Sequence, residues 1–417
     1  MIIHQPEIET VCEETVLHAR IETSNPNTGL PEKLWFSFPE SWSGKISTRA
    51  DSMLASLILV AMTAGENLEC RGELSPRLYY NLDEYQNIFN HWQPEIFHRI
   101  DIKPEILTPA PGSQNEPAYA TSFSGGVDSF FTIHELLNPT PDKPNWPLKY
   151  TFFMHGSPDI PLSFSQKYQS LEKQYTKAAR QLGLELISVR TNLMHFCVNR
   201  IDIKLFLESP LSGVALGLSP HISGIFIPSG RFYKRYTDST TGPLTTHLLA
   251  TESFETFSHG STTTRFQKTL MISGWAPAQE NLRVCLGWTN SEVQNCSQCS
   301  KCLRTRADLN TIGKLDEFST LKSPFSWRDT LRWGRWMEAG YGFEREILNY
   351  ARKHRKDLVP GIVLSIQIGT IRHYLRKYLP IWLKQQIFKF TAEKNPHQIF
   401  ASDTESQESA TYDHLNA

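Results

Sequence analysis

The chain has 417 residues, 40% hydrophobic and 20% charged, with a formal net charge of -1. That length predicts two or three domains with material for a sizeable core, and the near-neutral balance excludes a global field as the means of holding nucleic acid or an acidic partner. No apolar run approaches the roughly 18 residues of a membrane span, and the acidic opening MIIHQPEIETVCEETV is not read as a signal peptide. Four of the seven cysteines crowd into residues 285–302, a usage that suits metal binding in a reducing cytoplasm better than a disulfide framework.

In chain order, residues 1–115 predict a separate α+β unit. TVLHARIET and KLWFSFP alternate as strands, ADSMLASLILVAM predicts a buried helix and LDEYQNIFNHW an amphipathic one. Thr108 to Pro117, rich in proline, glycine and polar residues, predicts a linker. From Ala118 strands and helices alternate. AYATSF, LKYTFFMHG, LELISVR and GIFIPSG are strands. Between them lie the helices VDSFFTIHELL, SQKYQSLEKQYTKAARQLG (closed by Gly183) and IKLFLESPLSGVALGLSP, the last broken near Pro210. That alternation predicts an α/β fold, a parallel sheet flanked by helices, over 118–315. Residues 316–397 predict a basic helical subdomain, and 398–417 a disordered tail.

The stretch Ser124-Gly125-Gly126-Val127-Asp128-Ser129 falls where the first of these strands ends and its helix begins. A helix start leaves N–H groups unpaired and favours an anion, glycine lets the backbone approach a phosphate, and Asp128 can hold Mg²⁺. The alternative is a plain turn in which Ser124 or Asp128 caps the helix. The turn lacks the Gly-Lys-Ser/Thr ending of kinase-type loops.

Downstream, Cys285, Cys296, Cys299 and Cys302 are spaced C-x10-C-x2-C-x2-C. Four thiolates close a tetrahedron around Zn²⁺ and leave no position for water, so the site is expected to be structural. An iron–sulfur cluster is the second option. The helix that this site secures is expected to begin near Leu303. Cys12, Cys70 and Cys197 read as packing residues.

The six-residue turn resembles the SGGxDS signature of the PP-loop ATP pyrophosphatase superfamily, and turn and cysteines together resemble 7-cyano-7-deazaguanine synthase over about residues 118–315. The resemblance implies an ATP-dependent ligase. Such an enzyme adenylylates a carboxylate or amide, of a deazaguanine-type base or another acyl substrate. It releases AMP and pyrophosphate and forms an amide or nitrile. ATP, Mg²⁺ and Zn²⁺ are the implied cofactors, and a bacterial defence locus is one setting the family admits. The N-terminal unit and the C-terminal block depart from the compact family enzyme. A protein partner, or a homo-oligomer, is expected of a chain with such additions.

Arg265 and Lys268 share a face at the head of a short helix, beside Thr264, and are candidates to neutralise the reacting phosphate, with a solvated helix face as the equal alternative. His155, Gly156 and Asp159 follow the second strand of the alternation and are candidates to wall the pocket, as are Ser229, Gly230 and Arg231 after the fourth. His221 and His259 read as structural. From Trp327 to Lys394 the chain carries 14 Lys/Arg against 6 Asp/Glu among many aromatics. Packing on the catalytic core is favoured over stacking on RNA or lying on a membrane. A tRNA-modifying enzyme and a non-catalytic nucleotide-binding scaffold are the alternative functions.

Overall fold

In a computed structural model of the chain, the described residues are 1–25, 28–112, 116–236, 241–285, 287, 289, 291, 293–336 and 343–378. The expected tail at 398–417 and the end of the basic block, 379–397, lie outside them. The N-terminal stretch runs β1 (Ile2–Ile3), β2 (Glu7–Val11), β3 (Glu14–Glu22), β4 (Lys33–Pro39), α1 (Asp51–Ala64), β5 (Leu68–Leu74), α2 (Pro76–Trp92) and β6 (Ile102–Leu107). The central stretch runs β7 (Tyr119–Ser122), α3 (Val127–Leu137), β8 (Leu148–His155), α4 (Ser165–Gln181), β9 (Glu185–Thr191), α5 (Met194–Cys197), α6 (Glu208–Leu216), β10 (Gly224–Pro228), β11 (Glu255–His259), α7 (Arg265–Ile272), α8 (Ala276–Asn281) and α9 (Ser300–Ile312). After it come α10 (Trp327–Trp336), α11 (Phe343–His354) and α12 (Val359–Tyr378).

The protein is a mixed α/β molecule built on a large, mostly parallel sheet. Its strand order is β11-β10-β7-β8-β9-β4-β3-β1-β5-β6, with β2 on β3. From β11 to β9 every neighbour is parallel. The chain winds outward from β7 to β9, then crosses back to lay β10 on the other side of β7. The order therefore reverses between β7 and β10, and in open parallel sheets ligands collect beyond the strand ends at such a reversal.

β4 pairs antiparallel with β9, Phe36 opposite Thr191, and Asn192 extends the contact by accepting from the Trp35 N–H at 3.2 Å and donating to the Lys33 carbonyl at 2.8 Å. Residues 1–107 and the central stretch thus share one sheet. They also share a core. α1, buried from Asp51 to Met62, joins α6 and the side chains of Ile187, Val189, Ile225 and Ile227 in one cluster. On the opposite face, α3 and α4 pack over Phe123, Phe153 and Phe226. Neighbouring residues Phe152 and Phe153 divide between the two clusters, as strand alternation requires.

Local sequence explains most boundaries. Gly183, at φ +72, closes α4 by donating to the Arg180 carbonyl while Leu184 donates to that of Ala179. Ser75 caps α2 and Pro76 opens it, so this helix starts before the expected stretch. The shared sheet and core correct the expectation of a separate unit over 1–115, and two helix expectations also need correction. Pro210 does not break α6. It lies in the first turn, where no N–H is missed. The helix expected near Leu303 begins at Ser300 and carries Cys302 within it. β11 is an added strand at the sheet's edge, and its polar residues ETFSH gave no strand pattern.

The C-terminal helices pack on the central stretch. Trp333, Ile347, Ala351 and Ile362 form a cluster with Phe266 of α7 and Leu303 and Ala307 of α9. Arg306 binds Asp329 of α10 at 3.1 Å and the Ser297 carbonyl at 2.9 Å. No helix among the described residues is long and apolar enough to cross a membrane.

Candidate functional site

The turn after β7 sits at the reversal point. Gly125 has φ +73, and a Cβ there would lie 2.2 Å from the Tyr175 hydroxyl oxygen, so both backbone and neighbour demand glycine. The Gly125 carbonyl accepts from the Arg283 N–H at 2.8 Å, and the Ser124 carbonyl accepts from Tyr175 at 3.2 Å. Gly126 precedes α3 without a side-chain cap. Neither Ser124 nor Asp128 takes the capping role, and the first-turn amides of α3 face their surroundings with the helix dipole behind them.

Asp128 gathers the expected bases. Arg265 and Lys268 both bind it, Lys268 Nζ at 3.1 Å from Oδ1. Burial works to raise the Asp128 carboxyl, but Arg265 and Lys268 outweigh it and hold the group below its ordinary range. Burial pushes the Lys268 ammonium down, with Asp128 working against that shift. Lys268 is only 1% exposed and also donates to the Ser229 carbonyl. A capping box fixes the start of α7. Gln267 N–H donates to Thr264 at 3.3 Å, and Thr264 N–H donates to the Gln267 side chain at 3.0 Å. Two cations at a helix N-terminus oppose the dipole, so an anion must offset them. Asp128 supplies one negative charge against two positive.

A cavity of about 770 Å³ opens over the strand ends. The expected nucleotide-binding residues divide around it. Ser124 and Gly156 line it; Gly125, Gly126, Val127, Asp128 and Ser129 do not, although the partners of Asp128, Arg265 and Lys268, do. His155 is a correction. It is 4% exposed, stacks on Tyr168 at 4.4 Å between ring centroids, and burial, with Arg190, pushes its pKa down to about 3. Phe152, Phe153, Met154 and Gly156 line the wall while His155 among them does not, its ring being taken up by Tyr168. Asp159, Ser229, Gly230 and Arg231 all line the cavity. His221 and His259 are held away by Tyr150 and Thr132, each at 3.0 Å.

Sequence reasoning missed Arg283, Lys301 and Arg304 on the same wall, and Glu208 opposite. Arg283, Lys301 and Arg304 each lie within two residues of a cysteine of the cluster, and that adjacency was the available signal. Lys301 lies 3.6 Å from Asp159 and holds that carboxyl low, with Arg283 and Lys167 adding to the effect. Burial, and then Arg265, lowers Arg304 to about 10. α10 and α11 contribute Trp333, Glu344 and Glu346, so the C-terminal helices close one side.

The four cysteine sulfurs lie within 4.8 Å of one another, with Cys296 and Cys302 at 3.9 Å. Four sulfurs at about 2.3 Å from a central ion sit roughly 3.8 Å apart, so this cluster has the geometry to hold a metal such as zinc. Backbone N–H groups of Gln298 and Cys299 point at Cys296 Sγ from 3.4 and 3.3 Å, and Ser297 turns between them at φ +61. Cys70 and Cys197 are buried as expected of packing residues, whereas Cys12 is exposed in the turn between β2 and β3.

No family model, no curated protein and no solved structure matches this chain.

Proposed function

We propose that the chain is an ATP-dependent enzyme of the PP-loop type that adenylylates a carboxylate or amide, of a deazaguanine-type base or another acyl group. The observation that carries this is the convergence of five cations, Arg265, Lys268, Arg283, Lys301 and Arg304, on one cavity at the sheet reversal, beside the uncapped start of α3. Such an arrangement suits a polyanion, and its fixed charges suit the extra charge that develops at a phosphorus under attack.

In this reading the five cations hold the triphosphate beside Ser124, the residue of the turn that lines the cavity, with Asp159 on the wall available to Mg²⁺ and Asp128 positioning Arg265 and Lys268 from behind. An acyl oxygen attacks the α-phosphorus, pyrophosphate leaves, and ammonia or an amine then displaces AMP from the acyl carbon. Arg265 and Lys268 offset charge at the reacting phosphorus. The four cysteines hold zinc in a structural role and fix Arg283, Lys301 and Arg304 on the wall.

The test is pyrophosphate exchange into ATP. The purified protein, incubated with MgATP, labelled pyrophosphate and a deazaguanine carboxylate or a panel of aromatic acids, is expected to label ATP only when its acid is present. No exchange and no AMP with any acid, despite measurable ATP binding, would leave a scaffold role instead.

A further inference from the structure

Beyond the five cations, Asp159, Lys204, Arg231, Glu344, Glu346 and Glu208 also line the cavity, and of the carboxylates among them only Glu208 is buried. Glu208 is the first residue of α6 and is 6% exposed, yet it lines the cavity. Its Oε2 accepts from Thr246 at 2.6 Å and Thr245 at 3.2 Å. No cation among the described residues pairs with it. Burial outweighs the two hydroxyls and pushes its pKa up to about 7. A buried carboxylate with no counter-charge is costly, and a ligand cation at this place would offset that cost.

Its surroundings narrow the ligand. Leu193, Met194, Ile203, Phe206 and Leu211 line the cavity with it, and so does Lys204, which is exposed. α6 belongs to the sheet face covered by α1, whereas α3 belongs to the other. The cavity therefore bridges the rim, with the cations beyond α3 and α7 at one end and an apolar arm ending in one carboxylate at the other. The exposed Lys204 leaves the buried end to Glu208 alone, and there an apolar chain ending in a positive charge fits better than an anion.

We propose that the α6 arm is an amine subsite, in which Glu208 binds the ammonium of the acceptor that attacks the activated acyl group. The proposal deepens the adenylylation reading and rests on it for the role of the amine, not for its binding. Once bound, the ammonium R–NH₃⁺ can pass one proton to the Glu208 carboxylate, leaving R–NH₂ and a neutral carboxyl, with no other bond changed. The nitrogen lone pair is then free for attack.

The test uses the full chain, without nucleotide and above neutral pH, titrated calorimetrically with phenethylamine, and with phenylethanol as the uncharged control. The amine is expected to bind at least about tenfold more tightly than the alcohol, and Glu208→Gln, which keeps a Thr acceptor, is expected to remove about tenfold of that affinity. Leu211→Trp, which fills the arm and leaves the carboxylate in place, is expected to block both probes and guards against a misfolded Glu208→Gln. Equal binding of amine and alcohol, no amine binding, or amine binding unchanged in both variants would overturn the proposal. MgATP binding is measured in parallel. Its absence from the wild-type protein would sink the nucleotide reading and leave the amine result to be judged alone.

Discussion

Asp128 and Lys268 are 140 residues apart in the chain and 3.1 Å apart in the fold. Lys268 also donates to the Ser229 carbonyl, so one buried ammonium ties α3, α7 and the loop after β10 around the mouth of the cavity.

Replacing Lys268 with Met should therefore act on both fold and chemistry. Asp128 would keep Arg265 alone, and the Ser229 carbonyl would lose its donor. A loss of about 3 kcal/mol of stability is expected in urea titration, the usual scale for breaking a buried pair. Pyrophosphate exchange should fall by about a hundredfold or more, the scale for removing one fixed charge or donor from a transition state. Lys268→Arg should recover stability better than activity, because a guanidinium cannot reproduce the position of a compact ammonium.

Gly125→Ala tests the turn. Alanine must adopt a positive φ and displace Tyr175, whose hydroxyl oxygen lies 2.2 Å from the added carbon. A destabilisation of about 1–3 kcal/mol is expected from the backbone and the clash together, read from the denaturation midpoint. Gly112→Ala, with nothing within 4 Å and ordinary backbone, serves as the neutral control.

Metal removal should reach the cavity through the chain itself. Elemental analysis is expected to find one zinc per chain, lost in Cys302→Ser. That variant should melt earlier and bind MgATP more weakly, since Arg304 is two residues from Cys302 and Arg283 two from Cys285. Full zinc content in Cys302→Ser, or unchanged ATP affinity after zinc is stripped, would count against the coupling.

The pH dependence of stability follows from Glu208. Its carboxyl is raised from 4.5 to about 7, so between those values the folded chain keeps a proton that the unfolded chain has lost. Stability from this group is complete below the lower value and falls as pH rises, with the loss complete above the higher one. The total is about 3 kcal/mol, at roughly 1.4 kcal/mol for each tenfold change in proton affinity. Asp308, also raised to about 7, adds to the same slope. The measurement is therefore a difference: urea midpoints of the wild type and Glu208→Gln across this window, with the variant showing the shallower fall.

What the chain disclosed in advance was local. The helix from Val127 to Leu137 and the four cysteines are written in spacing, and Arg265 with Lys268 in a three-residue step. Glu208 and Glu344 were not legible, because each reaches the cavity through a crossover or a distant helix that no window of sequence contains. His155 was misplaced for a smaller reason. Phe153 and Met154 before it and Gly156 after it reach the cavity, but its own ring stacks on Tyr168, a partner from α4 that the strand's sequence does not announce. The bounds of residues 1–107 were partly legible, yet nothing in KLWFSFP announces a partner in β9.

That partnership decides what can be separated from what. Without β4, the backbone of β9 would become a bare margin, open to any extended chain that met it. Without α1, the oily side of α6 would face water, and α6 carries Glu208. The first quarter of the polypeptide is thus no appendage to an otherwise finished fold. It is the foundation on which the far end of the cavity is laid, and a shortened protein beginning at Ala118 would have to find another wall for it.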